Sequence, residues 1–309
     1  MTPPRLELRA PMQADAEAIT ELVVTCDIEE LGEPDFELDD LLTDWNRPGF
    51  DLGGDAVVVT DDETIVAYAA LVRRDYADVY VHPGYRGRGI GAELLAWTER
   101  RAAEALEPGE TIRLGQVVTG APSGGRSLLE RAGYEPVRTY WRMELTFEGP
   151  PPPPAWPEGI RVRSFDRERD SRAVHALVQD AFADNERHEA ESFEEWQAFM
   201  IDREAFEPGL WFIAEADGEI AGAVLCPDYQ SEGWVRQLAV GRAWRRRGLG
   251  TALLRQAMSE FHRRGRPDIG LVVDSWNRTG AKELYERAGM HVAREHTRLE
   301  KELHAPASS

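Results

Sequence analysis

The most constraining feature of the sequence is a short glycine-rich segment that occurs twice. The pattern Arg-x-x-Gly-x-Gly occupies Arg86–Gly91 and again Arg245–Gly250. Each copy follows an apolar, strand-like run and precedes a run with helical spacing. A loop that opens a helix directs several backbone N–H groups, and the positive end of the helix dipole, at one point. The sequence therefore predicts two anion-binding loops in a fold that is repeated in tandem.

Glycine and arginine have different uses in such a loop. Glycine allows positive φ angles and lets a phosphate come close to the main chain. In the second copy, Arg245–Arg247 add charge-assisted donors suited to a phosphodiester. A basic glycine-rich turn often only joins a strand to a helix, but two in the same setting argue against that interpretation.

Length and composition indicate two ordinary domains. The chain has 309 residues, of which 42% are hydrophobic. No stretch has the length and apolarity of a membrane span, and Met1–Arg5 lacks the apolar core of a secretion signal. Cys26 and Cys226, one in each half, are expected to be buried free thiols, which favours a reducing cytoplasmic location.

The net charge restricts the choice of partner. The chain carries 56 acidic and 36 basic residues, a formal charge of −20. Binding a polyanion requires a basic face, so this composition disfavours nucleic acid as a partner. The basic charge of Arg245–Arg247 is local and suits one small anionic ligand. We expect a small-molecule substrate, no nucleic acid or membrane partner, and a monomer or homodimer.

The order of predicted elements is the same in both halves. Strands are predicted at 6–9, 55–60, 64–73, 78–81, 111–118 and 138–147, and helices at 15–26, 36–45, 92–106 and 126–132. In the second half, strands are predicted at 160–165, 211–215, 219–225, 234–240, 269–274 and 291–303, and helices at 169–182, 193–201, 251–262 and 279–288.

A proline-rich segment separates the halves. Residues 149–159 include the run Pro150–Pro154, which is typical of a semi-rigid polyproline II spacer. The sequence therefore predicts an N-terminal domain at 1–148, a linker at 149–159 and a C-terminal domain at 160–309.

These features resemble the Gcn5-related N-acetyltransferase (GNAT) family in a tandem arrangement. The family's acetyl-CoA loop, Gln/Arg-x-x-Gly-x-Gly/Ala after the fourth strand, matches both glycine-rich segments. A second family segment, an asparagine followed by a helix with Leu-Tyr-Glu-x-x-Gly-Phe/Met, matches Asn277 and 284–290. The resemblance covers nearly the whole chain apart from the linker. It implies the α/β class, with two tandem GNAT folds that are each a splayed, mostly antiparallel mixed sheet flanked by helices.

The resemblance also implies acetyl-CoA as the cofactor. In the family, pantetheine lies between two splayed parallel strands, here 234–240 and 269–274, and the pyrophosphate lies on the loop. Backbone groups of Leu238–Val240 are then expected to pair with the pantetheine amides, and an N–H there to face the thioester oxygen. The cofactor-binding residues predicted in this way are Leu238, Ala239, Val240, Arg245, Arg246, Arg247, Gly248, Leu249, Gly250, Thr251 and Asn277, with Val79, Val81, Arg86, Gly87, Arg88, Gly89 and Gly91 in the first half.

One catalytic residue, Tyr285, follows from the resemblance. Amine attack on the thioester expels the CoA thiolate, and a phenol with a pKa of ~10 can protonate that thiolate at neutral pH. Tyr285 as a packing residue on a helix face is the alternative. In the first half Leu129 stands at this position, and Ala121 stands at that of Asn277. We therefore expect catalysis in the second half, and either cofactor binding without turnover or a scaffold role in the first.

The sequence does not single out a general base. An alkylamine with a pKa near ~10 must lose a proton before it attacks. Arg236 would pair with a substrate carboxylate if it faced the substrate, or would form a structural salt bridge. The residues expected near the substrate are Arg236, Glu232 and Glu191, the further candidates for a base are Asp228, His188 and His296, and a water chain is an alternative. No metal site is predicted.

The resulting hypothesis is an acetyl-CoA-dependent N-acetyltransferase that acts on a primary amine of a small molecule in a ternary complex. Some tandem members of the family acetylate the cysteinyl amine of a pseudodisaccharide, and this specific activity is one alternative. Detoxification of an amine antibiotic and acetylation of a protein amine are others. A non-catalytic acyl-CoA-binding or sensor protein is the alternative from a different class.

Overall fold

The structure is a computed structural model that describes residues 6–120, 124–184, 190–229, 231–277 and 279–305. The chain forms two compact units. Unit 1 combines Met1–Arg138 with His296–Ser309, and unit 2 consists of Thr139–Glu295.

Helices and strands are interspersed along the described part of the chain. Before the linker they are β1 (Leu6–Arg9), α1 (Ala16–Leu31), α2 (Leu38–Trp45), α3 (Leu52–Asp55), β2 (Ala56–Asp61), β3 (Thr64–Arg73), β4 (Tyr76–Val81), α4 (Ile90–Glu104), β5 (Thr111–Thr119), α5 (Gly124–Arg131) and β6 (Glu135–Thr146). After it they are β7 (Arg161–Ser164), α6 (Arg167–Phe182), α7 (Phe193–Met200), β8 (Phe212–Ala216), β9 (Glu219–Leu225), β10 (Gly233–Val235), β11 (Gln237–Val240), α8 (Leu249–Arg263), β12 (Asp268–Asp274), α9 (Ala281–Arg287) and β13 (His291–His304). No helix in the described ranges combines the length and apolarity needed to cross a membrane.

Unit 1 is built on a mixed sheet with the strand order β1-β2-β3-β4-β5-β13. Strands β4 and β5 run parallel and are paired at Tyr76↔Gly115. Beyond this pair, β4 continues along β3 as far as Val81, and β5 continues along β13 as far as Thr119. The two parallel strands therefore separate and leave a gap between them.

Unit 2 repeats this separation with a break in the strand itself. Strand β10 runs parallel to β12 from Gly233↔Ile269 to Val235↔Leu271. The chain then passes Arg236, and β11 pairs antiparallel with β9 in the order β11-β9-β8-β7. The splayed mixed sheets predicted from the family resemblance are thus present in both units, although the predicted strand 234–240 is two shorter strands.

The strand that completes each unit comes from the other half of the sequence. Residues 140–146 of β6 pair with β12 in unit 2, and residues 296–304 of β13 pair with β5 in unit 1. Met143 and Leu299 are fully buried, so each exchanged segment contributes to the core of the unit it joins. The two units therefore differ from the predicted contiguous domains 1–148 and 160–309. The end of β6 lies in unit 2 and the end of β13 lies in unit 1. Strand pairing and core burial decide this membership, and neither depends on the position of the linker.

The helix after each loop begins earlier than its spacing predicts. Helices α4 and α8 begin at Ile90 and Leu249 rather than at 92 and 251. Their N-caps are Gly89 and Gly248, with φ of +89° and +85°. A glycine in the left-handed region costs little, so it allows the chain to turn sharply into the helix. The short helix α3 was not predicted, whereas the expectation that both cysteines are buried free thiols is confirmed.

A buried carboxylate anchors the start of α6 in unit 2. Asp170 is 2% exposed and accepts hydrogen bonds from Arg163 at 2.6 and 2.9 Å, from Arg169 at 3.0 Å and from the backbone N–H of Asp166 at 2.8 Å. Burial by itself raises the pKa of Asp170, but the hydrogen bonds from Arg163 and Arg169 outweigh it and lower the pKa below its ordinary value.

Replacing this carboxylate should destabilise unit 2. We expect Asp170→Ala to lower the free energy of unfolding by about 3 kcal/mol at neutral pH, because it removes the buried carboxylate that accepts two hydrogen bonds from Arg163 and leaves Glu215 as the carboxylate partner of that arginine. The matched control is Asp180→Ala on the same helix. Asp180 forms an ion pair with Arg242 in which both side chains are about half exposed. This substitution should lower the free energy of unfolding by less than about 1 kcal/mol. Urea denaturation followed by tryptophan fluorescence measures both.

The effect of Asp170 should depend on pH in one direction. The folded-state pKa of Asp170 is lowered, so its contribution is complete above the unfolded pKa of about 3.9 and is lost as the pH falls towards the folded value. The difference between wild type and Asp170→Ala should therefore shrink below about pH 4. A difference that grows on acidification would contradict the assignment.

Candidate active site

The second glycine-rich loop has the backbone of an anion-binding nest. Arg246 and Gly248 have φ angles of +60° and +85°, and α8 follows at once. A positive φ at a residue other than glycine is a strained conformation that clusters at functional sites. Alternating left-handed residues turn successive N–H groups towards one concave surface. This surface lies at the positive end of α8 and suits a phosphate.

The first loop has the same geometry with different residues. Gly87 and Gly89 have φ angles of +77° and +89°, and α4 follows them. Gly87 stands at the position of Arg246. The positive φ angle that strains Arg246 in the second loop therefore costs little in the first, because the residue there is glycine. Both predicted anion loops therefore have the required backbone.

The first arginine of each motif holds its loop in place. Arg245 donates to the carbonyl of Val240 at 3.2 Å, to Asp184 at 2.6 Å and to the carbonyl of Ala181 at 3.2 Å. Arg86 donates to the carbonyl of Val81 at 3.1 Å and to a carboxylate on α1 at 2.8 Å. These donors are engaged within the protein, so Arg245 braces the loop, and its direct contact with the phosphodiester stays a prediction.

The arginines that follow the first one in each motif are exposed. Arg247 lies over the ring of Trp244 at 5.0 Å, and Arg88 lies over the ring of Tyr85 at 4.6 Å. Arg246 is exposed and forms no ion pair within the described part of the chain. Arg246 and Arg247 are therefore two cations of this loop that remain available to an anionic ligand.

The last glycine of each motif lies where the helix touches its neighbour. A Cβ atom on Gly250 would be 3.0 Å from Cδ1 of Leu284, and one on Gly91 would be 3.2 Å from Cδ2 of Leu128. Leu249 is buried with Gly250 in this first turn, whereas Thr251 is half-buried. A side chain here would push against the next helix. The contact also fixes α9 beside the start of α8 in unit 2.

Strand β11 contains the residues whose backbone is predicted to pair with pantetheine. Ala239 is buried, and Leu238 and Val240 line the side of the strand that faces Gly250. Because β11 pairs with β9 on one side and has separated from β12 on the other, it borders the gap. In unit 1, Val79 and Val81 lie at the same point of β4.

Tyr285 lies next to Leu284 on α9 and is 9% exposed. Burial raises the pKa of Tyr285 to about 12. Its hydroxyl has no hydrogen-bond partner among the residues that the structure describes. The phenol is therefore protonated at neutral pH and has a proton to give, which suits a general acid.

Asn277 shapes the turn that leads to α9. Its Oδ1 accepts hydrogen bonds from the backbone N–H of Thr279 at 2.9 Å and from its hydroxyl at 2.6 Å. This is an Asx-type turn. Ala121, which stands at this position in the first half, lies outside the described residues.

The three residues expected near the substrate are dispersed. The carboxylate of Glu232 receives two hydrogen bonds of 2.9 Å from Arg142. Arg236 donates to the hydroxyl of Tyr229 and lies over the ring of Phe199. The backbone of Glu191 contacts α6, through its carbonyl at 2.9 Å from Nε2 of His175. A proton taken up by Glu232 would break its ion pair with Arg142, which disfavours Glu232 as a base.

The other candidate bases do not meet at one place. Asp228 is paired with Arg266 at 2.7 Å. His188 lies outside the described residues. His296 belongs to unit 1, where its Nδ1 is 2.8 Å from the hydroxyl of Thr119. Its assignment to the second half fails because the last strand completes the first unit.

Unit 1 contains a cavity of about 670 Å³ that follows the gap between β4 and β5. Its wall includes Arg86, Gly87, Gly89 and Gly91 of the loop, and Leu129 where unit 2 has Tyr285. It also includes residues that the motifs did not indicate, namely Tyr76, Asp78, Tyr80 and Gln116. Alternation along β4 puts Asp78 on a strand face, but only the splay of the sheet places that face on a cavity.

Loops of this geometry beside splayed strands define an acyl-CoA-dependent transferase. Comparison with known proteins gives the family: the acetyltransferase (GNAT) family model matches residues 171–290, and an acetyltransferase (GNAT) domain model matches 53–136. The chain belongs to the GCN5-related N-acetyltransferase family, and it is a tandem member with an acetyl-CoA-dependent N-acetyltransferase activity.

Relatives extend over most of the chain. It is 32% identical over 252 residues to a mycothiol acetyltransferase of Thermobispora bispora, covering 79% of this chain and 82% of that protein. It is 31% identical over 248 residues to a mycothiol acetyltransferase of Streptomyces avermitilis, covering 75% of each. The comparisons therefore favour an enzyme over the non-catalytic acyl-CoA-binding alternative.

Solved structures agree over the full length. The crystal structure of a GCN5-related N-acetyltransferase from Sphaerobacter thermophilus is 37% identical, with a TM-score of 0.78, and covers 100% of this chain and 99% of that one. A tandem GNAT protein from the clavulanic acid biosynthesis pathway is 16% identical, with a TM-score of 0.73, and covers 99% and 100%. The second likeness supports the fold alone.

Proposed function

We propose that unit 2 transfers the acetyl group of acetyl-CoA directly to a primary amine of a small molecule, with Tyr285 as the general acid. The observation that carries this proposal is the contact between Gly250 and Leu284, because it joins the anion-binding start of α8 to the helix that holds Tyr285. Unit 1 keeps the loop but has the aliphatic Leu129 in place of the acid.

The residues of unit 2 fit acetyl-CoA by their chemistry. Backbone N–H groups from Arg246 to Gly250, with the guanidinium groups of Arg246 and Arg247, would hold the pyrophosphate. The free edge of β11 would pair with pantetheine. Acetyl-CoA supplies an activated thioester. The protonated Tyr285 would then give its proton to the sulfur as the thiolate leaves, which avoids releasing a charged group in a partly buried site.

Unit 1 is proposed to bind acyl-CoA without turning it over. Its loop has the same left-handed residues, and its cavity follows the gap between the splayed strands. Leu129 is 3% exposed and cannot donate a proton.

The name of the relatives favours one acceptor. We propose the cysteinyl amine of the pseudodisaccharide precursor of mycothiol, the mycothiol synthase activity, as the first acceptor to test. A simple amine or an amine antibiotic is the second candidate, because the ion pair of Glu232 with Arg142 and the aromatic contact of Arg236 do not select a sugar.

We expect the purified protein to acetylate this precursor at the amine. The precursor is incubated with acetyl-CoA, and the product is identified by mass spectrometry, since the acceptor's own thiol would react with a thiol reagent. The same precursor with its thiol alkylated should still be acetylated. CoA is then the only free thiol in the reaction, so a thiol reagent measures the turnover rate. The N-acetylated precursor is the negative control.

The outcomes separate the two levels of the proposal. Acetylation of simple amines but not of the precursor would contradict the mycothiol assignment and leave the transferase activity standing. Failure with the precursor and with every amine of a broad panel, despite binding of acetyl-CoA, would contradict the proposed transfer to a small amine.

A further inference from the structure

A carboxylate without a cationic partner lies on the wall of the unit 1 cavity. Asp78 is in the middle of β4, and its Oδ1 accepts a hydrogen bond of 2.8 Å from the hydroxyl of Tyr76. No arginine or lysine among the described residues lies within ion-pair distance of it. Burial and the negative charge of Asp44 raise the pKa of Asp78 to about 7. Asp78 is half-buried, and a carboxylate that is partly withdrawn from water normally has a cationic partner, so a ligand cation would supply what the protein does not.

Aromatic side chains line the same cavity as this carboxylate. Alternation along β4 puts Tyr76, Asp78 and Tyr80 on the face of the sheet that packs with α1 and α2. Both tyrosines and Phe36 line the cavity together with Asp78. The hydroxyl of Tyr80 forms no hydrogen bond to any residue in the described ranges. A carboxylate among aromatic faces is the environment that stabilises an organic cation.

A second polar group at the cavity is also unsatisfied. Gln116 follows Gly115, the last residue of β5 that pairs with β4, and so lies where the strands separate. It is 6% exposed and lines the cavity, yet its amide nitrogen has no hydrogen-bond partner in the described part of the chain. Its N–H groups can donate to a molecule that occupies the cavity.

Both basic and acidic groups line the cavity. Arg86 and the glycines of the anion-binding loop form part of its wall, and the carboxylates of Asp78, Asp27 and Asp35 form another part. In unit 2 the residue in register with Asp78 is the neutral Gln237, whose Oε1 accepts a hydrogen bond of 3.1 Å from Trp196. A carboxylate at this position is thus not a requirement of the fold.

We propose that unit 1 binds a small organic ammonium ion in its cavity, with the Asp78 carboxylate as the counter-ion and the rings of Tyr76, Tyr80 and Phe36 around it. Unit 1 is then an amine-binding module in its own right. This inference goes beyond the proposed function, because it concerns the unit without the acid tyrosine and does not depend on acetyl transfer in unit 2.

The test is isothermal titration of the full-length protein with 2-phenylethylammonium, and with 2-phenylethanol as its neutral counterpart. We expect the ammonium ion to bind to the wild type and the alcohol to bind at least about tenfold more weakly. Asp78→Asn keeps the shape and removes the charge, and it should weaken the unit 1 site by about tenfold or more. Glu29→Gln, on the exposed side of α1 and outside the cavity, is the matched control and should bind as the wild type does.

A second variant separates this site from any amine site in unit 2. Tyr285→Phe should leave the Asp78-dependent binding unchanged, because Tyr285 belongs to unit 2. Affinity that is the same in Asp78→Asn as in Glu29→Gln would overturn the proposal, as would equal binding of the alcohol and the ammonium ion. Absence of any binding of 2-phenylethylammonium to the wild type would overturn it as well. A thermal unfolding curve for Asp78→Asn at or above that of the wild type confirms that loss of binding is not loss of fold.

Discussion

Tyr285→Phe should reduce kcat for acetyl transfer by about 10²-fold or more and leave the affinity for acetyl-CoA within about twofold, since the change removes one proton donor and no binding group. The ring stays in its buried place beside Leu284, so the packing of α9 on α8 is kept. Initial rates against both substrates, with acetyl-CoA binding measured separately, give the two quantities.

The pH profile of the wild type gives a second expected result. Burial holds the pKa of Tyr285 at about 12, so the wild type keeps its acid protonated throughout the neutral and mildly alkaline range. The rate should rise with pH as the acceptor amine loses its proton, with no fall from loss of the acid in that range.

A buried tyrosine elsewhere in the chain provides the control. Tyr134 lies in unit 1, is 2% exposed, and its pKa is raised by burial in the same way. Tyr134→Phe should leave kcat unchanged. Full activity in Tyr285→Phe would show that Tyr285 is a packing residue and that the acid lies elsewhere.

Gly250→Asp should abolish detectable transfer by weakening acetyl-CoA binding to unit 2 by about 10²-fold or more. The Cβ atom of the new side chain would lie 3.0 Å from Leu284 and 3.7 Å from Leu238. Its carboxylate would be an unpaired negative charge in a buried turn, and burying such a charge costs about 3–5 kcal/mol. The charge would also repel the pyrophosphate at the start of α8. Titration with acetyl-CoA and an activity assay measure the two effects.

Two matched variants make this result specific. Gly250→Ala adds only the Cβ, which meets the end of the flexible Leu284 side chain, and it should retain binding and activity. Gly91→Asp makes the same change in the loop of unit 1, where Leu128 lies 3.2 Å away. It should remove acetyl-CoA from unit 1 and leave turnover intact. Turnover lost in Gly91→Asp and kept in Gly250→Asp would move catalysis to unit 1.

Local sequence patterns predict the elements around each site because they depend on neighbouring residues. Alternation and helical spacing locate most strands and helices to within a few residues, and the repeated motif places a loop with positive φ angles before α4 and α8. The motif also singles out Gly250 and Tyr285 as parts of one site. Their adjacency through Leu284 is seen only in the structure.

Other features depend on which distant segments pair, and the chain order does not contain that information. His296 belongs to unit 1 and Arg142 to unit 2, because the last strands are exchanged between the halves. Arg245 matches the motif for a phosphate ligand, but Asp184, which lies in the turn after α6, accepts a hydrogen bond from one of its donors.

The sequence by itself determined the tandem repeat, the anion loops and the difference between Tyr285 and Leu129, since each is a property of a short segment or of its repetition. The tertiary structure alone decided the composition of the two units and the cavity that gathers Asp78 and Gln116. The physical reason is that a gap between splayed strands is formed by hydrogen bonds each strand makes with its other neighbour, here β3 for β4 and β13 for β5.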